Sequence, residues 1–197
     1  IGIPKEVFVD GIDKDVSSNF TESLEHFKRQ GFDVREVSIP LLPYVLAVYY
    51  IIMPAEASTN LARFDGVKYG LKKDGADLLS DYLETRGEGF GREVRRRILL
   101  GTYILSSGYY DAYYNRANIL RSLISEEFKN VFKDVDIIAT PTSPIPAFKI
   151  GEKIDNPLSM YLADIFTVTA NIVGVPALSV PSGFCDRGGK KLPLGLQ

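Results

Sequence analysis

Two charges placed on stripes that otherwise read as core, Arg97 and Asp164, are the residues of this chain best suited to chemistry. Three arginines follow one another in Glu93–Tyr103 (EVRRRILLGTY), but at about 100° per residue only one of them shares the helix face of Val94, Ile98, Gly101 and Leu105. That residue is Arg97. Asp164 sits in the apolar run Met160–Val173 (MYLADIFTVTANIV), where a carboxylate needs a partner or a ligand because desolvating an unpaired charge is costly. A guanidinium and a carboxylate held at one site can clamp the α-carboxylate and α-ammonium of a free amino acid, the first through a bidentate fork. The same two charges suit a mutual salt bridge, or an arginine that snorkels to water from a helix edge, and spacing alone favours these structural roles.

Other chemistries are weaker. Ser17-Ser18, Ser106-Ser107 and Ser143 supply hydroxyls, but none stands in a glycine-flanked elbow beside a histidine or lysine able to act as base. Ser17 and Ser18 suit a helix start, and Ser106-Ser107-Gly108 a helix break. One cysteine (Cys185) and one histidine (His26, in the polar helix SLEHFKRQ) cannot assemble a His/Cys metal site. The glycines of GEGFGRE lack the lysine and hydroxyl of a phosphate loop, which argues against nucleotide binding. Paired tyrosines at 49-50, 109-110 and 113-114 read mainly as core; Tyr49 stands out because its apolar helix should pack near the helix of Arg97.

The elements that must position these residues are those of an α/β fold. A strand (IGIPKEVF), a turn at Asp10-Gly11, a helix over about 15–30 stopped by Gly31, and a strand at 32–39 make a βαβ unit. Residues 45–63 read as a buried helix kinked near Pro54, 64–73 as a loop, 74–85 as a short polar helix, and 88–91 as a loop leading into the arginine helix. A long helix at about 111–132 follows, with Tyr114, Ala117, Ile119, Leu123, Ile124 and Phe128 inward and Arg121, Glu126, Glu127 and Lys129 outward. Residues 135–140 and 177–181 read as buried strands. A helix opened by Asn156-Pro157 carries Asp164, and a polar turn at 186–191 precedes a last strand.

Composition bounds the rest. With 197 residues, 45% hydrophobic, 24% charged and a net charge of −2, the chain is an ordinary globular one without the basic footprint of an autonomous RNA binder. Its longest apolar runs are broken by Pro54, Asp164, Asn171 and Pro176, so neither reads as a membrane span, and one cysteine suits a reducing cytoplasm. The chain opens on Ile1-Gly2-Ile3-Pro4 and closes on Leu194–Gln197, both strand-like, which reads as a piece of a longer protein.

Three long strings, Tyr49–Gly70 (YYIIMPAEASTNLARFDGVKYG), Glu88–Ala117 (EGFGREVRRRILLGTYILSSGYYDAYYNRA) and Asn156–Gly183 (NPLSMYLADIFTVTANIVGVPALSVPSG), together resemble the amidase signature family, and within it the A subunits of tRNA-dependent amidotransferases. The resemblance spans nearly all of the chain. It implies an α/β fold, with a mixed β-sheet covered by helices, and amide hydrolysis by a Ser, cis-Ser, Lys triad. The glycine- and serine-rich signature that carries the triad has no match here. Residues 1–197 are therefore expected to be the C-terminal part of one such domain, without its nucleophile and inactive alone. In this branch the arginine of the RRI step and the aspartate of the MYxxD step bind the backbone groups of the glutamine substrate, which implies those roles for Arg97 and Asp164. The first tyrosine of YYIIxPxEAS, matching Tyr49, faces the reacting amide and the ammonia route.

The resemblance further implies no cofactor in this segment. It implies two partners: tRNA is bound by a B subunit, which uses ATP and magnesium to activate the misacylated glutamate, and a C subunit wraps around the A subunit. The product of the whole is Gln-tRNA(Gln) from Glu-tRNA(Gln). Asn156, where the family usually has Asp, and Ile172-Val173, where it often has Leu-Ala, are mild departures. The competing readings are a stand-alone amidase on a hydrophobic or aryl amide, which has no need of a charged clamp, and a non-catalytic scaffold.

Overall fold

The computed structural model describes residues 1–8, 11–153 and 157–197, and of 157–159 the backbone alone. Asp10 of the expected first turn and Asn156 of the expected helix start lie outside the described residues. The chain divides into two compact units, residues 1–47 with 121–197, and residues 48–120.

The first unit begins as the βαβ pattern requires. Strand β1 (Gly2–Pro4) pairs in parallel with β2 (Arg35–Val37), and α1 (Lys14–Arg29) makes the crossover between them. The first strand is shorter than the sequence reading has it, because a 3₁₀ turn at Lys5–Val7 follows Pro4, and proline cannot donate to a ladder. Asp13 caps α1 by accepting from the Asp15 amide at 3.0 Å, so Ser17 and Ser18 stand inside the helix rather than at its cap. Gly31, at φ +89°, follows the end of the helix. Val16, Phe20 and Leu24, spaced four apart on one face, are its buried residues.

The rest of the sheet is made late in the chain. Gly2 exchanges backbone bonds with 137–139, Thr140 with Gln197 at 2.9 and 2.8 Å, and β4 (Lys190–Leu196) runs antiparallel to β3 (Val180–Arg187). Two ladders are thus joined through residues 137–142 into a sheet of mixed direction, with a core of Ile3, Val7, Phe20, Leu24, Ala139, Phe166 and Leu196. The hairpin turns on Gly188 and Gly189, both at positive φ as a two-residue turn of matching twist requires. Arg187 reaches both carboxylate oxygens of Asp13 at 2.6 Å, and Asn19 and Ser182 exchange hydrogen bonds, so the hairpin is tied to α1.

Two expected buried strands are corrected. In 135–140 only Val135 and Ala139 are buried, while Asp136 and Ile137 face outward; the segment bonds through its backbone and buries one side only. Residues 177–181 are exposed, with β3 starting at Val180 and its edge paired with β4 rather than buried in a core. The helix expected through Asp164 is two short helices, α6 (Pro157–Leu162) and α7 (Thr167–Val173), separated by a turn over 163–166.

Helix α2 (Val45–Leu61), which enters the second unit at Val48, runs continuously through Pro54; α3 (Leu78–Gly89) is capped by Asp77 and extends past the range expected for it to include Glu88 and Gly89, and α4 (Arg92–Ile104) carries the arginines. Arg86 of α3 donates to the carbonyls of Leu61 and Phe64 at 3.0 and 3.1 Å, which closes the end of α2. A π-helical turn (Tyr110–Asn115) leads into α5 (Arg116–Val131), within which the boundary between the units falls. The burial expected for α5 is only partly met: Ala117, Ile124 and Phe128 are buried, but Ile119 and Leu123 are 63% and 52% exposed. Of its expected solvated face, Arg121 donates to the Ile172 carbonyl and Glu127 accepts from the Leu41 amide. Tyr109, Tyr110 and Tyr113, expected mainly in the core, are exposed, as is Tyr103, and the rings shield one another in stacked and tilted pairs. The Tyr103 hydroxyl, hydrogen-bonded to Tyr109 and flanked by other phenols, has its pKa pushed up to about 12. Among the described residues no helix is long and apolar enough to cross a membrane.

Candidate functional site

The stripe that singled out Arg97 exists as drawn. On α4 the residues withdrawn from solvent are Val94, Arg97, Ile98, Gly101, Ile104 and Leu105, and the neighbouring Arg92, Arg95 and Arg96 are exposed. The stripe faces α2. At Gly101 the helices touch backbone to side chain: an added Cβ would lie 2.7 Å from Ser58 Oγ and closer still to the Pro54 carbonyl. Only glycine permits this approach, and it fixes Arg97, one turn earlier on the same face, against the next turn of α2.

There the Arg97 guanidinium meets Met53, whose Sδ accepts from Nη1 at 3.5 Å, and lies within the field of the Tyr49 and Tyr50 phenols, whose rings pack edge to face at 5.0 Å. Tyr49 and Arg97 are thus brought together, as the expected packing of their helices required. Nε donates to Glu93 Oε1 at 2.8 Å, one turn back on α4, and the other Glu93 oxygen takes Arg96. The Arg97 side chain is 32% exposed. Burial draws its pKa down, but the hydrogen bond and charge of Glu93 outweigh that and hold it above its ordinary value, with the two tyrosines adding to the rise. Glu93 moves the opposite way: burial raises its pKa, and the Arg97 hydrogen bond with the two arginine charges more than cancels this, leaving it lowered.

The guanidinium therefore has one strong oxygen acceptor, at Nε, and one weak sulfur acceptor at Nη1. Its Nη end has no oxygen partner among the described residues. A fork of N–H donors in a half-buried, partly apolar setting is the geometry that binds a carboxylate. Sequence reasoning missed Glu93 and Met53, though the signals were present: glutamate precedes arginine by four on one helix, and Met53 follows Tyr49 by four on another.

Asp164 belongs to the first unit. It occupies the turn between α6 and α7, half-buried, with its amide donating to Tyr161 and its own carbonyl accepting from the Val168 amide at 3.1 Å and Thr167 Oγ1 at 3.2 Å. It is thus held by its backbone at a helix start, in a turn rather than in a continuous helix. A cavity of about 460 Å³ in the same unit, lined by Asn19, Phe20, Thr142, Ser143, Phe148 and Ser179 among others, has no ionisable residue in its wall among the described residues. Ser143 there donates to the Ala163 carbonyl at 3.5 Å and has no base beside it among the described residues, in keeping with a structural role. His26 is exposed on α1, and no cluster of His, Cys, Asp and Glu able to hold a metal occurs among the described residues.

An α/β chain with this sheet is a member of a known class. The amidase family model matches residues 1–197, and the chain belongs to that family. Over 197 residues it is 55% identical to the glutamyl-tRNA(Gln) amidotransferase A subunit of Thermodesulfovibrio yellowstonii and 54% identical to that of Parvibaculum lavamentivorans; each alignment takes in 100% of this chain but 40% and 39% of the relative. The crystal structure of the glutamyl-tRNA(Gln) amidotransferase A subunit of Thermotoga maritima superposes at a TM-score of 0.70 with 42% identity, over 99% of this chain and 37% of that one. The chain therefore spans about 40% of the length of the relatives it matches.

Proposed function

We propose that this chain is the C-terminal, glutamine-binding part of the glutaminase subunit of a tRNA-dependent amidotransferase. Arg97 grips the α-carboxylate of glutamine, Asp164 its α-ammonium, and Tyr49 lines the pocket by the reacting amide. The observation that carries this reading is the Arg97 guanidinium: half-buried beside Tyr49, pinned at Nε, with no oxygen acceptor among the described residues at its Nη end. The likeness to amidotransferase A subunits at about 55% identity supports it.

In this reading a serine outside the chain attacks the side-chain amide of glutamine, and a lysine and second serine shuttle its proton. The acyl-enzyme forms, ammonia leaves, and water releases glutamate. This chain contributes recognition of the amino acid and part of the fold, and no nucleophile, so alone it is inactive. The tRNA is bound by the partner B subunit, which with ATP and magnesium activates the glutamate of Glu-tRNA(Gln). The C subunit wraps around the A subunit, and the assembly works in the cytoplasm.

The test is a comparison of two nitrogen donors in the full-length protein, in complex with its partners. Arg97→Ala and Asp164→Ala each leave one pole of the zwitterion unpaired, which costs about 2–5 kcal/mol in glutamine-dependent kcat/KM. Free ammonium bypasses the pocket, so transamidation driven by it persists. Equal loss with both donors, together with a lowered melting temperature, identifies the two residues as structural and overturns the reading.

A further inference from the structure

Resting on the assignment of Arg97 to the substrate carboxylate, we infer that Glu93 is its positioning residue, acting through the geometry of the guanidinium rather than through its own charge. A guanidinium presents five N–H donors in one plane, and the direction in which its Nη end points is set by what holds Nε. Here Glu93 Oε1 holds Nε at 2.8 Å from one turn away, an i,i+4 pairing with glutamate on the N-terminal side. The carboxylate is itself restrained, since its second oxygen is taken by Arg96. The remaining contact, Met53 Sδ on Nη1 at 3.5 Å, is a soft acceptor that packs against the guanidinium without satisfying it as an oxygen would. Arg96, Glu93 and Arg97 together carry one net positive charge, enough for one incoming carboxylate. An oxygen acceptor in place of Met53 would compete with the ligand carboxylate for the Arg97 donors, and a Glu93 reaching to the Nη end would block them.

This role and a purely electrostatic one predict opposite signs. If charge dominates, removing the Glu93 carboxylate leaves Arg97 more electropositive, and the substrate carboxylate binds more tightly. If positioning dominates, loss of the Nε anchor lets the side chain sample other rotamers, and binding weakens. The amide of Gln keeps an oxygen that can accept from Nε while dropping the charge, so it separates the two.

The experiment measures initial rates against glutamine concentration in the full-length protein within its assembled complex, for Glu93→Ala, Glu93→Gln, Arg97→Ala and the double variant Glu93→Ala/Arg97→Ala. Glu93→Ala is expected to raise KM for glutamine about tenfold with kcat within about twofold, Glu93→Gln to restore most of that loss, and Glu93→Ala to add nothing once Arg97 is gone. A KM that is unchanged or lowered in Glu93→Ala overturns the inference, as does a full, separate loss in the double variant. Arg97→Ala distinguishes the failures. If it leaves KM unchanged, the carboxylate assignment falls and the positioning role with it; if it raises KM while Glu93→Ala does not, positioning alone falls.

Discussion

On the proposed reading Arg97 does two jobs with unequal energies. As half of an i,i+4 pair with the 45% exposed Glu93 it contributes little to folding, about 0.3–0.5 kcal/mol for such pairs. As a partly desolvated donor to a carboxylate it is worth several times that. Arg97→Ala should therefore leave the melting temperature of the full-length protein within about 2 °C of the wild type while sharply weakening glutamine use; a large thermal loss shows that the side chain holds α4 to α2. The pH response follows from Glu93. Its pKa in the folded chain is lowered from an ordinary value of 4.5, burial opposing and the Arg97 and Arg96 interactions prevailing. The pairing stabilises fully above that ordinary value and is lost as pH falls through the depressed one. Arg97, held above its already high ordinary pKa, stays charged across this window. The urea midpoints of wild type and Glu93→Gln are expected to differ slightly at about pH 7 and to converge as pH falls through the depressed Glu93 pKa, and a difference that grows on acidification contradicts the pairing.

At the scale of elements, α4 and α2 form a register device whose key is Gly101. Gly101→Ala drives a Cβ into the Pro54 carbonyl and Ser58 Oγ, so α4 must shift, at a cost of about 1–3 kcal/mol, and Arg97 moves with it. Both stability and glutamine KM should suffer. Gly87, exposed in α3 with nothing within 4 Å of an added Cβ, is the counterpart: Gly87→Ala is expected to stabilise by about 0.5–1 kcal/mol in urea titrations. The sequence announced much of this, because helical periodicity at Val94, Arg97, Ile98, Gly101 and Leu105 is local information and the structure keeps it. It also announced the crossover from β1 through α1 to β2. What it misplaced depends on partners distant along the chain. Residues 177–181 are apolar enough to read as a buried strand, yet burial is decided by what packs on them, and the pairing of Val180 and Pro181 with β4 and the bond between Ser179 and Thr142 leave the segment exposed. Asp164 was placed on one continuous helix by its apolar neighbours. The break into α6 and α7 leaves no proline or glycine in 160–167 to mark it. Tyr109 and Tyr113 read as core by type, but they pack against each other and against Tyr103 on the surface.

The whole molecule carries more apolar surface than an isolated chain should. Leu99, Leu178, Leu83, Ile119 and Ile137 are all between 59% and 74% exposed, and the chain spans about 40% of the length of its relatives. The 197 residues expressed alone are expected to self-associate, and light scattering after gel filtration checks this; a stable monomer that melts cooperatively would show a self-sufficient domain. Alone it should also release no ammonia from glutamine. The central claim is that Arg97 recognises the α-carboxylate, and it is tested most directly by deleting that carboxylate from the ligand instead of from the protein. The measurement compares kcat/KM for glutamine and for 4-aminobutanamide, its decarboxylated analogue, in the full-length complex with Arg97 or with Ala at that position. With Arg97 present, glutamine should be preferred by about 10²–10³, and Arg97→Ala should collapse the preference to within about tenfold, since a site built to pair a charge rejects the analogue that lacks it. The same preference in both enzymes would mean that the carboxylate is read elsewhere, and that Arg97 is not the clamp.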